Sequence, residues 1–200
     1  SLVLFGLERK LNFLIKLFNL NKLPKVLMIS GKKGIGKFTL VNHFLTYVFD
    51  KDNYDLKNRL INKKTKFYKN YLDNVFSNII YLSGNNFKNI RVEDIRDLKS
   101  SLLKSTMNKE KRFVVLDDIE LFNTNSLNAL LKIIEEPSLN NNFILINNES
   151  KPLIETIQSR CIEIKVILSN EIRKNIINEL ITKNNLEIFL DFNFSNLSPG

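Results

Sequence analysis

The 200-residue sequence predicts an α/β fold, a parallel sheet with helices on both faces followed by a small helical unit. Three observations predict it. Five short apolar runs alternate with segments of helical periodicity, a glycine-rich loop joins the first run to a helix, and a later run ends in two carboxylates. Hydrophobic residues at 44% and charged residues at 26% are the balance of an ordinary globular chain. No stretch approaches the ~20 apolar residues that cross a membrane.

The elements follow in order. Leu11, Leu14, Ile15, Leu17 and Phe18 recur at helical spacing over about 8–21, and Pro24 marks a break. Lys25–Ser30 is too short for a helix and suits a buried strand. Glycines 31, 34 and 36 interrupt it before Leu40, Val41, Phe44, Leu45 and Val48 restart a helix. Residues 50–76 are polar, with interleaved Tyr and Phe, and read as irregular structure with one helix at most. Strands are expected at 78–82, 112–117, 143–146 and 162–166, and helices at 92–103 (Ile95, Leu98, Leu102, Leu103) and 123–134, the latter stopped by Pro137. Ser169 or Asn170 caps a further helix through Ile181. The expected division is therefore an α/β domain over 1–167 and the start of a helical lid domain over 168–200.

Cys161 is the one cysteine and His43 the one histidine, which excludes an internal disulfide and any multi-cysteine zinc site. The opening SLVLFGLERK has no secretory pattern, and the expected location is the cytoplasm. Thirty basic against twenty-one acidic residues give a net charge of +9, which suits a phosphate-rich partner. Lys, Asn, Ile and Phe abound throughout while Ala129 is the one alanine, so much of that charge reflects composition drift.

Gly31-Lys-Lys-Gly-Ile-Gly-Lys37 fits the phosphate-loop pattern G-x-x-x-x-G-K-[ST] up to its last position. In such a loop Gly31, Gly34 and Gly36 let the backbone wrap phosphate, the following helix presents its positive end, and Lys37 supplies a point charge. Position 38, where Ser or Thr would ligate Mg²⁺, is Phe. Thr39 is one residue further, about 100° around the helix, and is expected to turn away from a metal. Loop shape and catalytic competence therefore separate. Asp117 and Asp118 end the run RFVVLD at the place of a Walker B pair, although the usual second residue is Glu.

Taken in order, the loop at 31–37, Val114-Val-Leu-Asp-Asp118, Asn128-Ala-Leu-Leu-Lys-Ile-Ile-Glu-Glu-Pro137, Phe143-Ile-Leu-Ile-Asn147 and Thr156-Ile-Gln-Ser-Arg-Cys161 resemble the bacterial DNA polymerase III clamp loader family of AAA+ proteins. Ile90–Arg96 also resembles the segment before the third strand of that family, and Ser198-Pro-Gly200 its sensor 2 region, so the sequence is expected to stop ahead of the family's collar domain. The damaged phosphate loop resembles the delta-prime branch rather than the gamma/tau ATPases.

The resemblance implies a largely structural subunit of a ring-like pentamer, with gamma/tau and delta subunits as neighbours. The sliding clamp and primer-template DNA would be reached through the assembly. It implies that Ser159-Arg160-Cys161 supplies an arginine finger to ATP on a neighbouring subunit, and that Asn147 or Asn148 stands in the sensor 1 region. Many relatives carry a four-cysteine zinc module where this chain has none, so no zinc is expected. No cofactor is required, with weak ATP or ADP binding at most. Ile154-Glu155 replaces a frequent Leu-Pro ahead of Arg160. His43 is expected to be structural or solvent-facing, and Cys161 a small buried hydrophobe. The alternative is an active gamma/tau-type ATPase that uses Lys37, Asp117 and Asp118 itself. A small P-loop kinase would need phosphoacceptor and lid arginines that the sequence does not offer.

Overall fold

The computed structural model describes residues 3–85, 90–103 and 111–183. The elements run α1 (Glu8–Asn19), β1 (Val26–Ser30), α2 (Lys37–Phe49), α3 (Lys66–Leu72), β2 (Ile79–Ser83), α4 (Val92–Leu103) and β3 (Arg112–Asp117). They continue with α5 (Thr124–Ile134), β4 (Asn141–Asn147), α6 (Glu155–Gln158), β5 (Ile162–Lys165) and α7 (Asn170–Lys183). All strand pairs are parallel, in the order β2-β3-β4-β1-β5. The predicted parallel α/β class is therefore what the chain adopts.

Side chains alternate across the sheet, and each strand feeds both faces. Leu27 and Ile29 of β1, Phe113 and Val115 of β3, and Ile144 and Ile146 of β4 join a core with α1 and α2. Val26, Met28, Val114, Leu116, Phe143 and Leu145 join a second core with α4 and α5. Burial on both faces is why these strands read as continuous apolar runs. Phe44 and Phe113, both fully buried, meet edge-to-face at 5.7 Å, with Phe49 edge-on to Phe113 at 5.9 Å.

The segment 50–76 is largely irregular with the one α-helix α3, as expected. Thr65 caps α3 by accepting the Tyr68 N–H, and Phe67 and Phe76 pack on Phe49 at the end of α2. Its aromatic residues thus extend the core beneath α2, the helix that begins at the glycine loop.

Asn123 accepts the Ser126 N–H at the start of α5, and Ser169 accepts the Ile172 N–H at the start of α7. Helix α7 lies close to the N-terminal segment: a Cβ on Gly6 would stand 2.8 Å from Ile176 Cδ1 and 2.9 Å from Ile172 Cγ2. The sensor 2-like Ser198–Gly200 and most of the expected lid domain lie outside the described residues, as does the side chain of Leu103. Among the described residues no helix is long and apolar enough to cross a membrane.

Candidate functional site

Ligands of open α/β sheets bind beyond the carboxyl ends of the strands. A cavity of about 500 Å³ opens there. The glycine loop, the end of β3, the turn after β4, the N-terminal segment at Val3–Leu7 and Ile176 of α7 enclose it. Gly34, Gly36, Lys37, Asp117, Asp118 and Asn148 all line it, whereas Gly31, Asn147, Ser159, Arg160 and Cys161 do not.

Gly31, Gly34 and Gly36 all have positive φ, at 145°, 78° and 93°. At Gly31 a Cβ would fall 2.4 Å from the carbonyl oxygen of Val166, so the approach of the chain after β5 leaves room only for glycine. The Gly31 N–H donates to the Asn147 carbonyl at 3.2 Å, which ties the loop to the end of β4. Asn147 serves through its backbone and through Oδ1, which accepts the Glu149 N–H at 2.9 Å.

Lys37 is 3% exposed, and its ammonium donates to the carbonyls of Gly31 and Lys32, the latter at 2.8 Å. The charge that would meet a phosphate is folded back onto its own loop. Burial lowers its pKa to about 8, against the pull of Asp117, Glu120, Glu149 and Asp118.

The carboxylates are also engaged. Asp117 Oδ2 accepts the Tyr81 hydroxyl at 3.0 Å and Oδ1 accepts the Asp118 N–H at 2.9 Å. Burial, then the charge of Asp118, raises the Asp117 pKa, and burial followed by the charge of Asp117 raises that of Tyr81. Asp118 adopts a left-handed backbone (φ 50°) and accepts Asn148 Nδ2 at 2.8 Å and the Ser83 hydroxyl at 3.4 Å. Lys33 stands 3.8 Å away. The Phe38 ring packs on Tyr81 with centroids 5.4 Å apart. Thr39, expected to turn away from a metal, also borders the cavity.

These residues do not fit a Mg²⁺–nucleotide centre. Phe38 offers no oxygen, and Asp117 already receives a phenol and an amide. Each Asp117 oxygen accepts one of these bonds and keeps a further lone pair, so the missing hydroxyl at position 38 is the specific defect. Among the described residues no three His, Cys, Asp or Glu side chains group as a metal site.

Three contributors carry no local signal in the sequence. Tyr81 and Ser83 reach Asp117 and Asp118 across 36 and 35 residues of chain. Glu120, 5% exposed, accepts the Asn148 N–H at 3.1 Å and the Ser150 hydroxyl at 2.7 Å, fixing the turn that carries Asn148.

Arg160 lies elsewhere, on an exposed surface just after α6. Its Nε and Nη2 both donate to Glu135 Oε1, at 2.9 and 2.7 Å, and Nη1 donates to the Thr156 carbonyl at 2.9 Å. Ser159 ends α6 and its hydroxyl donates to Thr156 at 3.2 Å. Cys161 Sγ contacts the Ile157 carbonyl at 3.1 Å, and burial raises its pKa to about 11, which makes it a poor nucleophile. His43 is fully buried beside the Tyr54 hydroxyl at 2.9 Å, with its pKa pushed by burial to about 4. It is structural and not solvent-facing.

A family model described as DNA polymerase III, delta subunit, matches residues 6–169. The chain belongs to this family. It resembles a DNA polymerase III subunit delta' of Buchnera aphidicola subsp. Baizongia pistaciae, 30% identical over 152 residues, which cover 72% of this chain and 44% of that protein. A DNA polymerase III subunit gamma of Buchnera aphidicola subsp. Schizaphis graminum is 25% identical over 168 residues, 83% of this chain and 45% of that protein. The alignments thus reach less than half the length of these relatives. A solved gamma subunit-related protein of Thermotoga maritima has a TM-score of 0.56 at 19% identity, covering 85% of this chain and 52% of its own, and it supports the fold alone. The chain is thus a clamp-loader family member of delta-prime type.

Proposed function

We propose that this chain is a largely structural clamp-loader subunit whose own ATP hydrolysis is absent or weak and which donates Arg160 to ATP held by a neighbouring gamma/tau subunit. The observation that carries this is the separation of the two sites. Arg160 stands exposed and outside the chain's own cavity, while the cavity has Phe38 in place of a metal ligand and Asp117 bonded to Tyr81. A guanidinium is always charged and planar, and it offers fixed donors to phosphate oxygens as charge develops. Its neighbours in this reading are gamma/tau and delta subunits in the cytoplasm, and it reaches the clamp and primer-template DNA through the assembly. It requires no cofactor and holds no zinc, and the cavity takes ATP or ADP weakly.

The retained cavity, with Lys37, Asp117 and Asp118 on its wall, favours a second reading, an active gamma/tau-type ATPase. Two measurements separate them. The full-length chain alone should show negligible Mg²⁺-dependent turnover, and turnover abolished by Lys37→Ala would establish the second reading. In the reconstituted complex, Arg160→Ala should leave stoichiometry intact while the adjoining site loses ~10³ in rate, which lowers total DNA- and clamp-stimulated turnover a few-fold. Arg160→Lys should rescue poorly, because an ammonium keeps the charge without the fork. A complex of normal stoichiometry and unchanged rate would overturn the trans-acting role.

A further inference from the structure

We propose that Glu135 is a positioning residue for Arg160, holding one edge of the guanidinium so that the opposite edge is presented outward to a phosphate. The inference rests on the trans-acting role of Arg160 given above. It joins two conspicuous segments of the sequence, because Glu135 belongs to Asn128–Pro137 and Arg160 to Thr156–Cys161.

A guanidinium has five N–H donors in one plane. The Nε–H and one Nη2–H form its side edge, and both converge on Glu135 Oε1 at 2.9 and 2.7 Å. Nη1 is held from another direction by the Thr156 carbonyl at 2.9 Å, with a long contact of 3.5 Å to the Ser159 hydroxyl. The second Nη2–H lies on the terminal edge and has no partner among the described residues. The pair therefore consumes the side edge and leaves donor capacity at the tip.

Both anchors are rigid. Glu135 directly follows α5, its N–H donates to the Leu131 carbonyl at 3.0 Å, and Ile133 and Ile134 beside it are buried. Thr156 is in α6, whose Ile157 is fully buried in the same core. An exposed arginine otherwise loses considerable rotamer freedom when it engages a ligand, and prior restraint removes part of that cost. The opposite role, a latch that keeps Arg160 from phosphate, fits less well. A half-exposed pair through one carboxylate oxygen is too weak to compete with a multiply charged phosphate.

The test is a double-mutant cycle in the full-length, reconstituted complex with DNA and clamp. It reads single-turnover hydrolysis at the site adjoining this chain together with the KM for ATP and the thermal melt of the variant chain. Glu135→Ala should lower the rate at that site about 3- to 10-fold, the range expected from one side chain left unrestrained. KM and melt should hardly move. Glu135→Gln should restore most of the rate, since an amide oxygen still accepts both N–H bonds, and Glu136→Gln should have no effect. In the Arg160→Ala background, Glu135→Ala should cost nothing further. An Arg160→Ala complex of unchanged rate overturns the trans-acting role and this inference with it. A large loss in Arg160→Ala with none, or a gain, in Glu135→Ala overturns the positioning role alone. So does an equal loss from Glu135→Ala in both backgrounds.

Discussion

The cavity at the strand ends and the surface around Arg160 spend their polar groups in opposite directions. In the cavity, Lys37 donates to Gly31 and Lys32 of its own loop, Asp117 receives Tyr81, and Asp118 receives Asn148. At the surface, Glu135 and Thr156 bind the guanidinium from the side while Arg160 stays exposed. The cavity's polar groups brace one another, whereas Arg160 lies exposed and outside it. The same residue types do different work because burial removes water and forces each polar group to find a partner in the fold.

The largest expected effect tests that contrast directly. In the reconstituted complex, Lys37→Ala should change clamp- and DNA-stimulated turnover less than about two-fold, whereas the site adjoining Arg160→Ala loses ~10³. Equal losses would erase the distinction between the two regions. Steady-state ATPase assays on matched complexes decide it.

Much of this was legible in the sequence. The five strands and the helices between them follow from apolar runs of strand length separated by 3.6-residue periodicity, and the loop follows from Gly31, Gly34, Gly36 and Lys37. The four-residue helix α6 was not legible, because one turn is too short to show a period. Nor was the role of Tyr81. This residue sits on the half-buried edge strand β2, and its partner lies 36 residues away in the chain, so no local pattern joins them. The Asn147–Asn148 pair was ambiguous for a related reason. Adjacent residues at a strand end point differently, and only the structure puts Asn148 on the cavity and Asn147 under the loop. Segment 50–76 holds one α-helix amid irregular structure, as expected, and what its sequence did not show is that its phenylalanines and tyrosines pack into the core.

If the cavity is bracing, its geometry should matter to stability even where its chemistry does not matter to turnover. Gly31→Ala places a Cβ 2.4 Å from a backbone oxygen at a φ of 145°, so the chain after β5 must move. The expected loss is about 3 kcal/mol, read as a shift in urea midpoint. A midpoint unchanged from the parent would mean that the loop is free to relax and braces nothing.

A third difference is in response to pH. Beneath the loop, α2 carries His43, neutral and fully buried, with Nε2 unpartnered among the described residues. Its pKa of about 4 lies below the ordinary 6.5, so between these values the unfolded chain binds more protons than the folded one. Stability should therefore be complete above pH 6.5 and fall as the pH drops toward 4, by about 3 kcal/mol. His43→Gln should flatten that part of the profile. A parent profile that is already flat between pH 4 and 6.5 would show that the imidazole finds water or a proton acceptor in the folded state.

The smallest effect is expected where the functional effect is greatest. Glu135 and Arg160 form a half-exposed ion pair that is screened by salt and must hold two flexible side chains in one geometry. Removing either partner should change the stability of this chain by less than ~1 kcal/mol, with less effect still in high salt. Urea denaturation of Glu135→Ala, Arg160→Ala and the double variant at low and high ionic strength measures this, and the coupling between the two should vanish as salt rises. The outcome bears on the comparison because it separates two reasons for pairing a surface arginine. A salt-insensitive coupling of several kcal/mol would make the pair a clamp between α5 and α6, of the same kind as the bracing in the cavity. A small, screened coupling leaves orientation of the guanidinium as the reason the carboxylate sits where it does.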